Sequence, residues 1–331
     1  LFTEVRRFRR PALGHLEENF LSPDADRISS KGCIRLLRAQ SMRAEAELAA
    51  EEIMNLVKYE GLRFREIAIV APQLHNYKSY IEAAFSDINI PFFIDIAESI
   101  KHHPVIEMLC AALRTAINDF LRTDIFNYLK TGLTGIEREK IDLLENYCLT
   151  FGIRPSDWRR DRAWQFAPDS QNEGEDLIDG IRREAAGPLL DLQKALKDKI
   201  SSGSFTEAVF ELLERLGIRE VLADWSEKAA EKGDFRTQQV HQQVYERLLN
   251  VFEEFNTVFE SVNSSPAVFL QILENAFADI ELGIIPPAMD QVMVGDIERS
   301  RHPEIRALFL AGASQNMFPV PLRSDQILTD I

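Results

Sequence analysis

Strand-like runs stand near both ends of this chain and none convinces in the long stretch between them. That spacing constrains the fold more than any other feature. CIRLLRA, FREIAIVAP and NIPFFID are short apolar runs, separated by the helical patterns SMRAEAELAAEEIMNLVKYEG and NYKSYIEAAFSDI. HPVIEMLCAALRTAI follows, with Pro104 in its first turn and Val105, Leu109, Ala112 and Ala116 on one face. Strand and helix alternating in this way predict a mainly parallel α/β sheet, buried on both faces. From about residue 116 to 283 the runs are helical: IEREKIDLLENYCLTFG, GPLLDLQKALKDKI, SFTEAVFELLERLGI, TQQVHQQVYERLLNVFEEFNTVFESV and SPAVFLQILENAFADIELG. DSQNEGEDLIDG reads as a polar, acidic loop. Strand character then returns as QVMVGD and RALFLAGA. Two isolated strands cannot form a stable sheet of their own, so they are expected to rejoin the first sheet.

The expected organisation is a helical connection at 1–30, a first α/β part at 31–116, an all-α insertion at 117–283 and a second α/β part at 284–331. A chain of 331 residues suits two domains. The net charge of −15 is uneven. Residues 116–285 hold 19 basic against 31 acidic side chains, which is −12 of that total. Such a surface repels phosphate, so the middle is expected to face protein or solvent. No apolar run is long enough to span a membrane. The N-terminus lacks a signal-peptide pattern and a Met, and the chain reads as a fragment of something longer. Cys33, Cys110 and Cys148 are far apart, with no metal-ligand spacing, and Cys110 and Cys148 fall on apolar helix faces. A reducing, cytoplasmic location is expected.

No Walker A loop, nucleophile elbow, H-E-x-x-H or dinucleotide glycine fingerprint is present. Adjacent histidines in KHHP (residues 101–104) point apart on any regular element, and a helix start is favoured over a metal pair. Asp95 ends a strand, where either a cap or a functional carboxylate can sit, and the cap is favoured. Trp158 and Trp164, with Arg159, Arg160 and Arg162 between them, fit a packed helix with a basic face. They also fit a basic-aromatic patch for nucleic acid. The RRFRR cluster at residues 6–10 is either a solvated linker or a phosphate contact. GDIERSRHPE, residues 295–304, lies between two apolar strands, so its side chains are expected at one sheet edge. Arg299 and Arg301 could hold phosphate there; a charged hairpin with internal Arg–Glu pairs is the other reading.

EAELAAEEI, then IAIVAP, YKSYIEAAF, NIPFFID and HPVIEMLCAAL, resembles the C-terminal half of superfamily 1 helicases of the UvrD/Rep type. PFFID, HHPVIE, FNYLKTGL, LENYCLTFGIRPSDW, DQVMVGDIERSRHPE and GASQNMFP resemble one branch of these, the AddB or RexB family of the bacterial AddAB helicase–nucleases. The resemblance implies a RecA-like sheet domain (2A-like) interrupted by a helical insertion (2B-like). It implies a DNA-processing parent enzyme of double-strand-break repair by homologous recombination, whose partners would be DNA and an AddA-type helicase–nuclease motor. This region would shape a DNA channel and dock the motor without catalysis of its own; a non-catalytic adaptor binding protein through the acidic middle is the alternative. Aligned with helicase motif V, Glu304 falls at the motif's carboxylate, Arg301 at its lysine and His302-Pro303 at its Gly-Leu turn. Its Thr and His have no counterpart among residues 295–298. Arg299, Arg301 and His302 are thus candidate DNA contacts, and Glu304 holds a degenerate motif position. The ATP, magnesium and iron–sulfur cluster of the family would lie outside this region.

Overall fold

A computed structural model describes residues 10–318, apart from 21, 23, 25, 167–173, 197–198, 285–288, 301–304 and 316. Two compact units divide the chain: residues 1–94 with 289–331, and residues 95–288. In chain order the elements are α1 (Pro11–Asn19), α2 (Met42–Glu60), β1 (Ile67–Ala71), α3 (Lys78–Asp87), β2 (Phe92–Ile94), β3 (Glu98–Ser99) and α4 (Pro104–Ile117). Next come α5 (Arg122–Leu129), α6 (Arg138–Phe151), α7 (Glu175–Ala195), β4 (Ile200–Ser201), α8 (Ser202–Arg215), α9 (Ile218–Glu231) and α10 (Phe235–Val258). β5 (Asn263–Ser264), α11 (Pro266–Asp279), β6 (Glu281–Leu282), β7 (Val292–Asp296) and β8 (Ala307–Leu310) complete the chain.

The first unit is built on one four-stranded sheet in the order β2-β7-β1-β8, with every pairing parallel. Strands from both ends of the sequence therefore interleave, as the late apolar runs required. β1 is buried at all five residues, since it is central and covered on both faces. α2 starts at Ser41, whose side chain accepts from the Ala44 N–H, and stops at left-handed Gly61. Its buried stripe of Ala46, Ala49, Ala50 and Ile53 is thin enough for close packing.

The second unit is helical, with two short antiparallel pairs, β3–β6 and β4–β5, and one continuous core. α4 belongs to this unit, so the boundary expected at residue 116 is displaced to 94/95, and the later one from 283/284 to 288/289. The reason is packing. Ten of the 14 residues of α4 are buried, which needs helices around it rather than one sheet face. α7 starts at Glu175 and runs through Pro188, so part of the expected acidic loop is helix.

CIRLLRA forms no strand. Ile34, Leu36 and Leu37 are exposed, Leu36 at 93%, and no described strand pairs with them. An apolar run without a ladder partner has nothing to make it a strand. No described helix is long and apolar enough to cross a membrane.

Candidate nucleic-acid interface

β7, β1 and β8 are parallel with β1 between the other two, so the link from β7 to β8 is a crossover. The hairpin reading of GDIERSRHPE is therefore wrong. β7 ends on Asp296 at the carboxyl edge of the sheet, while Arg306 enters β8 from the amino edge. The expectation that the whole segment gathers at one edge fails for the same reason.

The first half of this crossover is a tight turn. The Asp296 carbonyl accepts from the N–H groups of Arg299 (3.3 Å) and Ser300 (3.0 Å), and its Oδ1 accepts from the Glu298 N–H (2.9 Å). The Ile297 N–H donates to the Ala71 carbonyl (3.3 Å), which ties the turn to the end of β1. Arg299 is exposed on this turn with no acidic partner among the described residues. At the far end the Arg306 N–H donates to the Glu66 carbonyl (2.8 Å), and its guanidinium lies 3.4 Å from Glu66 Oε1. Arg301, His302 and Glu304 lie outside the described residues, as do Arg6, Arg7 and Arg9 of the RRFRR cluster. Arg10 is exposed.

Near the same carboxyl edge, sequence reasoning missed a brace. Glu45 of α2 accepts from the Tyr77 hydroxyl at Oε2 (2.7 Å) and from the Gly312 N–H at Oε1 (2.8 Å). Burial, then the bond to Glu45, raises the Tyr77 phenol above its ordinary value, so it remains a neutral donor. Gly312 follows β8 with φ +71°, and an added Cβ would stand 3.1 Å from the Tyr77 hydroxyl. A glycine after an apolar strand signals the turn. Nothing in EAELAA distinguishes Glu45 from its neighbouring acids.

Asp95 caps no described helix. It is exposed just after β2, and α4 is capped by His103, whose Nδ1 accepts from the Val105 N–H (3.3 Å). With Nδ1 accepting, the His103 proton sits on Nε2 and donates to His241 Nδ1 (3.0 Å). Burial, reinforced by His241, drives His103 down to about 4, so the pair is neutral at pH 7. KHHP is thus a helix start, and no described group of three His, Cys, Asp or Glu could hold a metal. Burial pushes the Cys110 and Cys148 thiols up to about 12, which leaves both protonated at neutral pH.

Trp158 and Trp164 do not offer faces to bases. They are 2% and 1% exposed and pack edge to face, with ring centres 5.0 Å apart. Arg182, itself buried, lies over the Trp164 ring and donates to Asp179 (2.8 Å) and to the Trp158 and Arg160 carbonyls (3.0 Å each). The arginines between the tryptophans stay outside: Arg159, Arg160 and Arg162 are exposed.

No family model matches the chain. A Symbiobacterium thermophilum protein, named as the B subunit of an ATP-dependent helicase/deoxyribonuclease, is 39% identical over 99% of this chain. Proteins of the same name from Moorella thermoacetica and Acetivibrio thermocellus are 38% and 35% identical over 98% and 97% of it. The chain spans about 30% of the length of these curated relatives.

Proposed function

The chain belongs, along nearly all of its length, with a segment of the B subunits of ATP-dependent helicase/deoxyribonucleases, and from that premise we propose that it is a non-catalytic, DNA-guiding part of such an enzyme. The α/β unit is the 2A-like domain and the helical unit its 2B-like insertion. The parent processes DNA double-strand breaks for recombinational repair, in a bacterial cytoplasm and in complex with an AddA-type motor. This part lines the DNA path and docks the motor.

The observation that carries the reading is the β7–β8 crossover. It leaves the carboxyl edge of a parallel sheet, where open α/β sheets bind ligands, and it holds Arg299 outward on a turn closed by Asp296. Arg301 and His302, from the undescribed middle of the crossover, are assigned to the same contact, and Glu304 to the degenerate motif. A guanidinium with no carboxylate partner among the described residues suits a phosphate oxygen. The acidic balance of the helical region favours protein as its main neighbour.

The test uses the whole parent protein in complex with its partner and a DNA duplex. Arg299→Ala is expected to weaken binding and to lower the slope of log affinity against log salt by about 1. Unchanged affinity and slope would remove the crossover from the DNA path.

A further inference from the structure

The segment 159–166 is a positive stretch in an acidic unit, with Arg159, Arg160 and Arg162 against Asp161. Residues 154–166 hold four arginines, Arg154, Arg159, Arg160 and Arg162, against Asp157 and Asp161. Its backbone is fixed from below. The Arg160 carbonyl accepts from Arg182 (3.0 Å), and the Asp161 carbonyl accepts from Arg183 (3.2 Å). The Trp164 N–H donates to Asp179 (3.1 Å) and its indole to the Asp157 carbonyl (3.0 Å), while the Phe166 N–H donates to the Tyr147 hydroxyl oxygen (3.2 Å). The carbonyls and rings are used inward, so the guanidinium groups are the part left to solvent.

Those groups are held in different ways. Arg159 is gripped by both oxygens of Asp119 (2.6 and 3.0 Å), and Arg160 stands 2.8 Å from Asp157 with its guanidinium 5.6 Å from the Phe166 ring centre. Arg162 has no acidic partner among the described residues. Arg160, Arg162 and Phe166 help line a concavity of about 530 Å³ with Trp164 in its wall. Planar guanidiniums steadied by a carboxylate or a ring keep N–H groups pointing outward in a fixed fork, the geometry that suits phosphate oxygens. A loop fixed by buried hydrogen bonds loses little freedom when it binds.

The geometry points to residues 159–166 as a phosphate-backbone contact for nucleic acid, separate from the β7–β8 crossover, with Arg160 and Arg162 touching phosphate and Arg159 steadying the loop. The assignment rests on the reading that the parent protein engages DNA. It is sequence-independent, because a contact to phosphate oxygens carries no base information.

The experiment measures binding of the whole parent protein, with its partner, to a fluorescent DNA duplex across a range of salt. R160Q/R162Q is compared with R138Q/K228Q, which removes two exposed charges elsewhere in the helical unit. Tryptophan fluorescence checks that Trp158 and Trp164 remain buried. The expected result for R160Q/R162Q is an affinity lower by roughly tenfold and a salt slope lower by about 2, one per arginine. R138Q/K228Q keeps the wild-type values, and inorganic phosphate competes only at concentrations where the salt slope accounts for it. Equal effects in both variants would make net charge the cause and overturn the assignment. Unchanged DNA binding would overturn it too, as would loss of partner association with the protein's own DNA affinity intact, which would mark a protein contact. Absence of salt-dependent DNA binding in the wild type would sink the underlying reading as well, an outcome distinct from the others.

Discussion

Single residues decide where this chain is braced, and two of them give measurable consequences. Gly312 sits at φ +71° with the Tyr77 hydroxyl 3.1 Å from where a Cβ would go. Gly312→Ala is expected to cost about 1–2 kcal/mol, from the left-handed backbone and the crowded hydroxyl together. Urea unfolding followed by far-UV circular dichroism reads it. His103 offers a pH window. In the unfolded chain it titrates at its ordinary 6.5, and in the fold at about 4, so the unfolded state binds the extra proton between those values. Stability is whole above pH 6.5 and falls as pH drops toward 4, by as much as roughly 3 kcal/mol. His103→Gln is expected to flatten that slope; a variant as steep as wild type between pH 4 and 6.5 would assign the proton elsewhere. Little of this is legible in the sequence. KHHP marks the helix start, but its partner His241 is 138 residues away, and no local pattern announces such a pair.

At the scale of elements, the sequence serves best where an apolar run finds a ladder partner. FREIAIVAP, NIPFFID, QVMVGD and RALFLAGA all supply strands of one sheet, buried throughout in central β1 and alternately half-buried and exposed in edge strand β8. CIRLLRA has the same character and fails for lack of a partner strand, which is a property of its surroundings. The helices α5 and α9 escape notice because their polar faces dilute a short apolar stripe. The tryptophan-arginine segment shows the limit of composition: spacing cannot say which side of a loop faces the core. Here Arg182 settles it, since its guanidinium fastens the Trp158 and Arg160 carbonyls beneath the surface. Removing a buried partner of an ion pair is strongly destabilising. Arg182→Leu is therefore expected to cost about 3 kcal/mol, the low end of that range because Arg183 still pairs with Asp179 (2.7 Å). Thermal unfolding measures the loss, and a red shift of tryptophan emission reports that the loop has opened. Emission unchanged from wild type would mean that the aromatic cluster holds the segment unaided.

Across the whole molecule, the interleaved sheet is the feature on which the functional account depends. Strands from residues 67–94 and 292–310 share one parallel ladder, with Ala68 opposite both Met293 and Leu308. The interruption is legible as two late apolar runs that need a sheet to join. The unit boundary is not, because α4 carries an apolar pattern that suits a sheet cover and a helical core equally well. That ladder also turns GDIERSRHPE into a crossover whose first turn stands at the carboxyl edge. Photocrosslinking with benzoylphenylalanine in place of Arg299, in the whole parent protein assembled with its partner and a DNA duplex, reports whether this turn touches DNA. A covalent DNA adduct formed from this turn is the expected result. An adduct to protein alone, or none while the complex still binds DNA, would contradict it.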